Sequence, residues 1–338
     1  MLNLIKYYIP CIFWRFISNF KKNNVCKIPI SFVIEDADWA IKRVGESIIY
    51  EIETFNPNKA FFTKKPARLF NKIVHFGSQY MWVNWNRYMS TSNVFVASYF
   101  HGKPEDGIEI ERHINDFLES ESKLDKIVVS NSIVKNRLVN WGIQESKLVQ
   151  IPIGVNTQLF RPCSHLQKEK IREKLGFFKD EIVIGSFQKD GIGWNDGLKP
   201  KLIKGPDILV EVLKQLRKNI NVSVLLTGPA RGYVKKNLDE MKIKYKHVYL
   251  KNYNDLASYY HSLDLYLITS REEGGPMGLM ESLSSGVPVV TTDVGMSPDL
   301  IVNKENGFLI KSYDPIKICE KIIQLTKYTD FKKMSSKS

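Results

Sequence analysis

Residues 269–292 read Thr269-Ser-Arg-Glu-Glu-Gly-Gly-Pro-Met-Gly-Leu-Met-Glu281, continued by Ser282-Leu-Ser-Ser-Gly-Val-Pro-Val-Val-Thr-Thr292. The apolar run Leu265 to Ile268 leads into this stretch as a strand. A turn with two acidic residues and Gly-Gly-Pro follows. A short helix then spans Met277 to Ser285, Gly286 closes it, and a strand resumes from Pro288 to Thr292. The loop of such a strand–loop–helix–strand unit lies at the carboxyl end of a parallel strand, where doubly wound sheets bind ligands. Glu273 and Glu281 stand eight positions apart, one before the helix and one inside it. Met277, Gly278 and Leu279 fall in the first helical turn, where N–H groups lack intrahelical partners and the dipole is positive, so an anion fits there. Gly274, Gly275 and Gly278 let a bulky ligand approach the backbone.

The stretch Glu273-Gly-Gly-Pro-Met-Gly-Leu-Met-Glu281, followed by Ser285-Gly-Val-Pro-Val-Val, resembles the glutamate-x7-glutamate signature of glycosyltransferase family 4. The resemblance implies an α/β protein of two Rossmann-like domains facing across a cleft, the GT-B architecture. It also implies that Glu273 lies beside the donor sugar, that Glu281 takes the ribose hydroxyls of the nucleotide, and that the amides of Met277, Gly278 and Leu279 hold the diphosphate. The plainer reading is a solvated loop glutamate and an unrelated glutamate on a helix face. Glycines, strand and Gly-Val-Pro-Val-Val restart all in register weigh against it.

Upstream, Ile182 to Phe187 opens a second sheet and is followed by the loop Gln188-Lys-Asp-Gly-Ile-Gly-Trp-Asn-Asp-Gly197, then Lys201-Leu-Ile-Lys-Gly-Pro-Asp207. Lysine-glycine before an amphipathic helix, Pro206 to Leu216, is similar to the family's phosphate-gripping lysine, which assigns Lys204 to the donor diphosphate. The family's arginine soon after the preceding strand is absent. Lys189 is the candidate replacement, although a point charge lacks the bidentate fork. The strand Val222 to Leu226 ends at Thr227-Gly-Pro, and Gly228 is expected to meet the nucleotide. Further strands at His247 to Leu250 and Leu265 to Ile268 flank a helix from Asn254 to Ser262. No GxxxxGK[ST] occurs, nor GxGxxG after a strand, which argues against a P-loop enzyme and a dinucleotide-dependent dehydrogenase.

In the amino-terminal half, strands are expected at Ile28 to Ile34, Lys72 to Phe76, Val94 to Ser98 and Lys126 to Val129, with a helix from Trp39 to Glu53. This alternation predicts a parallel sheet. His101, in Tyr99-Phe-His-Gly-Lys103 at a strand end, resembles the family's amino-domain histidine, which reaches over the donor sugar; His75 is its rival. Met81, Trp82, Trp85 and Tyr88 form an aromatic patch, either core or an acceptor shelf. Asp36-Ala-Asp38 has the form of a metal-clamping acidic pair, but it follows the first strand of a different pattern, so no metal is assigned to it. No glycine-rich loop follows that strand, unlike in many family members. The run Ile151-Pro-Ile-Gly-Val-Asn-Thr, then Phe160-Arg-Pro, resembles the family's interdomain crossing.

The expected organisation is therefore a basic apolar segment at 1–27, an acceptor-side domain at 28–155, a linker at 156–180, a nucleotide-sugar domain at 181–328 and a polar tail at 329–338. Relatives usually continue into helices that cross back to the first domain, and here that clasp is expected to be short. The 338 residues suffice for two cores. A net charge of +13 suits phosphorylated small molecules or an anionic membrane surface. No nucleic-acid motif accompanies that charge, so nucleic acid is not an expected partner. Scattered Cys11, Cys26, Cys163 and Cys319 suggest neither zinc nor a disulfide framework, and point to a reducing compartment. Through residue 30 there are five Lys or Arg and no Asp or Glu, among apolar and aromatic residues too broken to span a bilayer. Such a segment either lies in a headgroup region or packs on the protein itself.

These readings together predict a sugar transferase. It takes a nucleotide-sugar donor and a glycan or lipid-linked acceptor, needs no cofactor or metal, and acts in the cytoplasm or at the inner membrane face. The resemblance implies retention of anomeric configuration, with Glu273 and His101 as catalytic residues. A nucleotide-sugar epimerase on the same scaffold and a non-catalytic sugar-nucleotide binder are the rival readings.

Overall fold

The structure, a computed structural model, describes residues 29–34 and 40–327. The basic segment 1–27, the acidic pair Asp36 and Asp38, and the tail 329–338 lie outside the described residues. The chain divides into two compact units, Met1–Ile153 and Gly154–Ser338.

The first unit holds a six-stranded parallel sheet in the order β2-β1-β3-β4-β5-β6. Its strands are β1 (Ile30–Val33), β2 (Ala60–Thr63), β3 (Ile73–Phe76), β4 (Val94–Tyr99), β5 (Lys126–Val129) and β6 (Leu148–Gln150). Helices α1 (Ala40–Phe55), α2 (Gln79–Trp85), α3 (Ile108–Ser120) and α4 (Ser132–Asn140) alternate with them. Side-chain oxygens of Ser78 and Asn131 cap α2 and α4 by accepting from Met81 and Val134 N–H. Met81 and Trp82 belong to the core, with the Trp82 indole donating to Ser120 Oγ at 3.0 Å. That places these two members of the aromatic patch inside the unit.

Edge strand β2 was not anticipated. Its Phe61 and Phe62 face outward, so no apolar alternation marks it. Glu53, near the end of α1, secures the turn before it by accepting from Asn58, Lys59 and Ala60 N–H at 2.7, 2.7 and 2.6 Å. Helix α3 fits the expected alternation, but its bounds carry little sequence signal, since only Ile114, Phe117 and Ser120 of it are buried, a narrow stripe.

The second unit holds another six-stranded parallel sheet, ordered β12-β11-β10-β7-β8-β9. Helix α5 (His165–Leu175) precedes β7 (Ile182–Phe187), which is followed by α6 (Pro206–Leu216), β8 (Val222–Thr227) and α7 (Gly232–Glu240). Then come β9 (Tyr245–Val248), α8 (Leu256–Tyr260), β10 (Leu265–Ile268), α9 (Met277–Ser284), β11 (Val289–Thr292), α10 (Ser297–Leu300), β12 (Gly307–Ile310) and α11 (Pro315–Lys327). Every strand pairing in it is parallel, and its core runs through α6, the central strands and α11. Helix α5 lies within the stretch read as a linker. Its buried Arg172 donates to Ser262 O at 2.8 Å and pairs with Asp264, and Lys168 bonds Asp264 at 3.0 Å.

From β7 the chain steps to β8 and β9 on one side, while β10 lies on the other side of β7. That reversal is a topological switch point, and the loops after β7 and β10 meet there.

Candidate functional site

In the second unit, Lys204 ends a short 3-10 turn, Leu202–Lys204, and Gly205 follows with φ +63. A Cβ on Gly205 would stand 1.9 Å from the Thr269 carbonyl, so only glycine lets these two loops touch. Thr269 Oγ1 donates back to Gly205 O at 2.8 Å. Arg271 N–H donates to Ile203 O at 2.8 Å, and its guanidinium grips Asp207 through contacts of 2.8 and 2.6 Å. Burial pushes the Asp207 carboxyl up, but Arg271 overrides this and the group ends below its ordinary value.

The bolted loops bring Lys204 onto Glu273, with Nζ 2.7 and 2.6 Å from the two carboxylate oxygens. Ser270 Oγ donates to Glu273 Oε1 at 2.8 Å. Three ammonium protons are enough to keep both of these contacts and still reach a further anion. Lys189, Lys201 and Lys204 share one field: burial depresses Lys201, the Lys204 and Lys189 charges add to this, and Glu273 opposes it. The Lys189 ammonium lies 3.7 Å from the centre of the Trp194 ring.

Helix α9 begins with Pro276 at its N-cap and no side-chain cap. Leu279 does not offer the open amide expected of it. Leu279 N–H donates to the Pro276 carbonyl at 2.9 Å, because the first turn tightens to an i to i+3 bond. Met277 and Gly278 are left as first-turn amides that no hydrogen bond among the described residues uses. A Cβ on Gly278 would stand 2.4 Å from the Tyr266 hydroxyl, which fixes how closely α9 sits on β10. Glu281 is 3% exposed; Tyr260 OH donates to its Oε2 at 2.7 Å and Tyr253 OH donates to its Oε1.

Behind these groups stands Arg231, fully enclosed, 3.0 Å from the equally buried Asp190. It donates to the carbonyls of Ser186, Gln188 and Thr227 at 2.6, 3.0 and 3.0 Å, tying the ends of β7 and β8 together. Burial raises the Asp190 carboxyl and the Arg231 charge opposes it. The carbonyl of Asp190 accepts from Lys201 N–H at 2.8 Å. Gly228, at φ +90, packs against the Gln188 carbonyl, 2.8 Å from where a Cβ would be, and its own carbonyl contacts His247 Nε2 at 2.8 Å. Its missing side chain therefore serves the chain's own packing.

In the first unit, His101 is exposed just beyond β4. Its backbone is held by Gln79, only 1% exposed, whose Nε2 donates to His101 O at 2.9 Å and whose Oε1 accepts from Phe100 N–H at 3.3 Å. Arg137 Nη1 donates to Gly102 O at 3.0 Å. His75 instead sits inside the sheet, 2.9 Å from Ser98 Oγ and stacked at a tilt on Phe32, and burial lowers its pKa to about 4. Gln79, Arg231, Tyr253 and Tyr260 carried no sequence signal of their own; only their partners in space give them a role. Among the described residues no three His, Cys, Asp or Glu side chains gather so as to hold a metal ion.

Residues 197–337 match the family model described as glycosyl transferases group 1. Over this segment the chain is similar to the group 1 glycosyltransferases. It is 28% identical over 211 residues to the capsular polysaccharide biosynthesis glycosyltransferase CapM of Staphylococcus aureus, covering 61% of this chain and 50% of that protein. It is 26% identical over 191 residues to the Escherichia coli UDP-Gal:alpha-D-GlcNAc-diphosphoundecaprenol alpha-1,3-galactosyltransferase, covering 54% of this chain and 46% of that one. The chain spans about half the length of the curated relatives it matches. Its fold is similar to that of Anabaena Alr3699/HepE, solved with UDP and glucose, at TM-score 0.72 and 15% identity over 92% of this chain and 93% of that one. Two six-stranded parallel α/β sheets in one chain are the GT-B pattern, as the group 1 resemblance implied. Among the described residues no helix is long and apolar enough to cross a membrane.

Proposed function

We propose that this chain transfers a sugar from a nucleotide-sugar donor to an acceptor hydroxyl during assembly of a surface polysaccharide or lipid-linked glycan. The observation that carries the reading is the Lys204–Glu273 pair set before the Met277 and Gly278 amides at the sheet's switch point. Glycosyl transfer needs a neutralised diphosphate leaving group and a steadied positive charge on the anomeric carbon. Lys204, with Lys189 and Lys201 adding to its field, and the two amides supply the first. Glu273 supplies the second, and Glu281 holds the nucleoside. Retention follows if the leaving phosphate oxygen takes the acceptor proton as the bond from anomeric carbon to phosphate breaks and that to the acceptor forms. His101 is assigned a substrate contact from the acceptor-side unit. The capsular and diphosphoundecaprenol relatives support this class of acceptor, and a lipid-linked acceptor suits work at the inner membrane face.

The test is a thermal-shift screen against common sugar nucleotides, followed by transfer assays on lipid-linked acceptors. Lys204→Ala and Glu273→Ala should each reduce transfer at least about tenfold, the loss expected for one preorganised charge contact, with an unchanged fold by circular dichroism. Full activity in either variant contradicts the assigned roles. Donor isomerised without an acceptor would mark an epimerase, and binding without turnover over the whole acceptor panel would mark a binder.

A further inference from the structure

The carboxylate of Glu281 is built into a small aromatic frame. Tyr260, from the end of α8, and Tyr253, from the 3-10 turn Tyr253–Asp255, donate to its two different oxygens. Phe160 stands against both phenol rings, with centroids 5.7 Å from Tyr253 and 5.9 Å from Tyr260, at 61° and 77° between planes. Its carbonyl accepts from Ser284 Oγ, three residues beyond Glu281 on α9. Phe187, the last residue of β7, closes on Tyr260 from another direction at 4.8 Å. Phe160 and Tyr260 are both without exposed surface. Three separate stretches of chain thus converge on one side chain.

The terminal torsion of a glutamate is broad and soft, so a carboxylate left alone turns freely. Donors on both oxygens remove that freedom and set its plane, while each oxygen can accept more than one hydrogen bond. Burial holds the Tyr260 phenol far above its ordinary pKa, and the Glu281 charge pushes the same way, so it stays a donor. A carboxylate of fixed plane suits two adjacent hydroxyls better than one.

We infer that Tyr260 and Tyr253, wedged by Phe160, are positioning residues that aim Glu281 at the cis-diol of the nucleoside, giving preference for ribonucleotides over 2′-deoxyribonucleotides. The inference rests on the nucleotide-sugar reading above.

It is tested by titrating the full chain calorimetrically with UDP and 2′-deoxyUDP, and with the ADP and GDP pairs. Wild-type protein should bind the ribonucleotide at least about tenfold tighter, as expected for a hydrogen bond to a charged group. Tyr260→Phe and Tyr253→Phe, which keep the rings, should narrow that ratio to about threefold or less by weakening the ribonucleotide, with 2′-deoxy binding changed less than about twofold. A ratio unmoved in both variants, or an equal loss for both nucleotides, overturns the positioning role. So does nucleotide binding by wild type without ribose preference. Wild type that binds no nucleotide in the panel overturns the donor reading itself. If Tyr260→Phe fails to fold, Tyr253→Phe, on the less buried phenol, decides the matter alone.

Discussion

The two units present their strand ends in different ways. In the second, the loops after β7 and β10 are held by charge: Arg231 on Asp190, Arg271 on Asp207 and Lys204 on Glu273. In the first, the end of β4 is held by backbone contacts, from Gln79 to Phe100 and His101 and from Arg137 to Gly102. The difference follows from the work proposed for each. A diphosphate needs several charges kept at fixed spacing, and these repel or collapse unless each is tethered. A single imidazole needs only its backbone placed.

The sharpest way to break this contrast is to remove the charged frame. Arg231→Met leaves Asp190 buried without its counter-charge and should cost about 3–5 kcal/mol, read as a lowered denaturation midpoint. Adding Asp190→Leu should recover the part of that loss due to the unpaired carboxylate, while the carbonyls of Ser186, Gln188 and Thr227 stay without their donor. A single variant as stable as wild type would mean that the frame is not held by charge.

The first unit has its own titratable weakness. His75 has a folded-state pKa of about 4, against 6.5 for the ordinary side chain. The unfolded chain therefore takes up the proton first as pH falls. Stability present above about pH 6.5 should be lost progressively down to about pH 4, by at most about 3 kcal/mol. Melting temperatures of wild type and His75→Asn across that range should converge in acid; parallel curves would remove His75 from the account.

The smallest expected effect sharpens the other side of the contrast. Gln79→Leu keeps the volume but drops both amide contacts, the one to the His101 carbonyl and the one from Phe100 N–H. It should reduce turnover about five- to tenfold while donor KM moves less than twofold, the split expected when geometry rather than binding suffers. Loss of KM alone, or no loss at all, would separate Gln79 from His101.

Much of this was legible in the chain order. β5, β7, β10 and α6 fall at the expected residues because a buried parallel strand is a short apolar run and an amphipathic helix has its own period. β9 came two residues earlier than expected, at Tyr245, because none of its side chains is fully buried and no apolar run marks its start. β2 escaped because an edge strand with outward phenylalanines carries no alternation. Leu279 was assigned an open amide because a helix start drawn from sequence does not show whether its first turn tightens.

The sequence by itself determined the α/β class, the Glu273 to Glu281 spacing, the glycine at 205 and the resemblance of the carboxy-terminal half to group 1 glycosyltransferases, since each rests on residues near one another along the chain. Tertiary structure alone decided that Lys204 meets Glu273, that Arg231 ties β7 to β8, and that two phenols and Phe160 frame Glu281. Those contacts join residues from 21 to 100 positions apart. No local pattern encodes them: which side chains come within 3 Å of each other depends on strand order and helix packing.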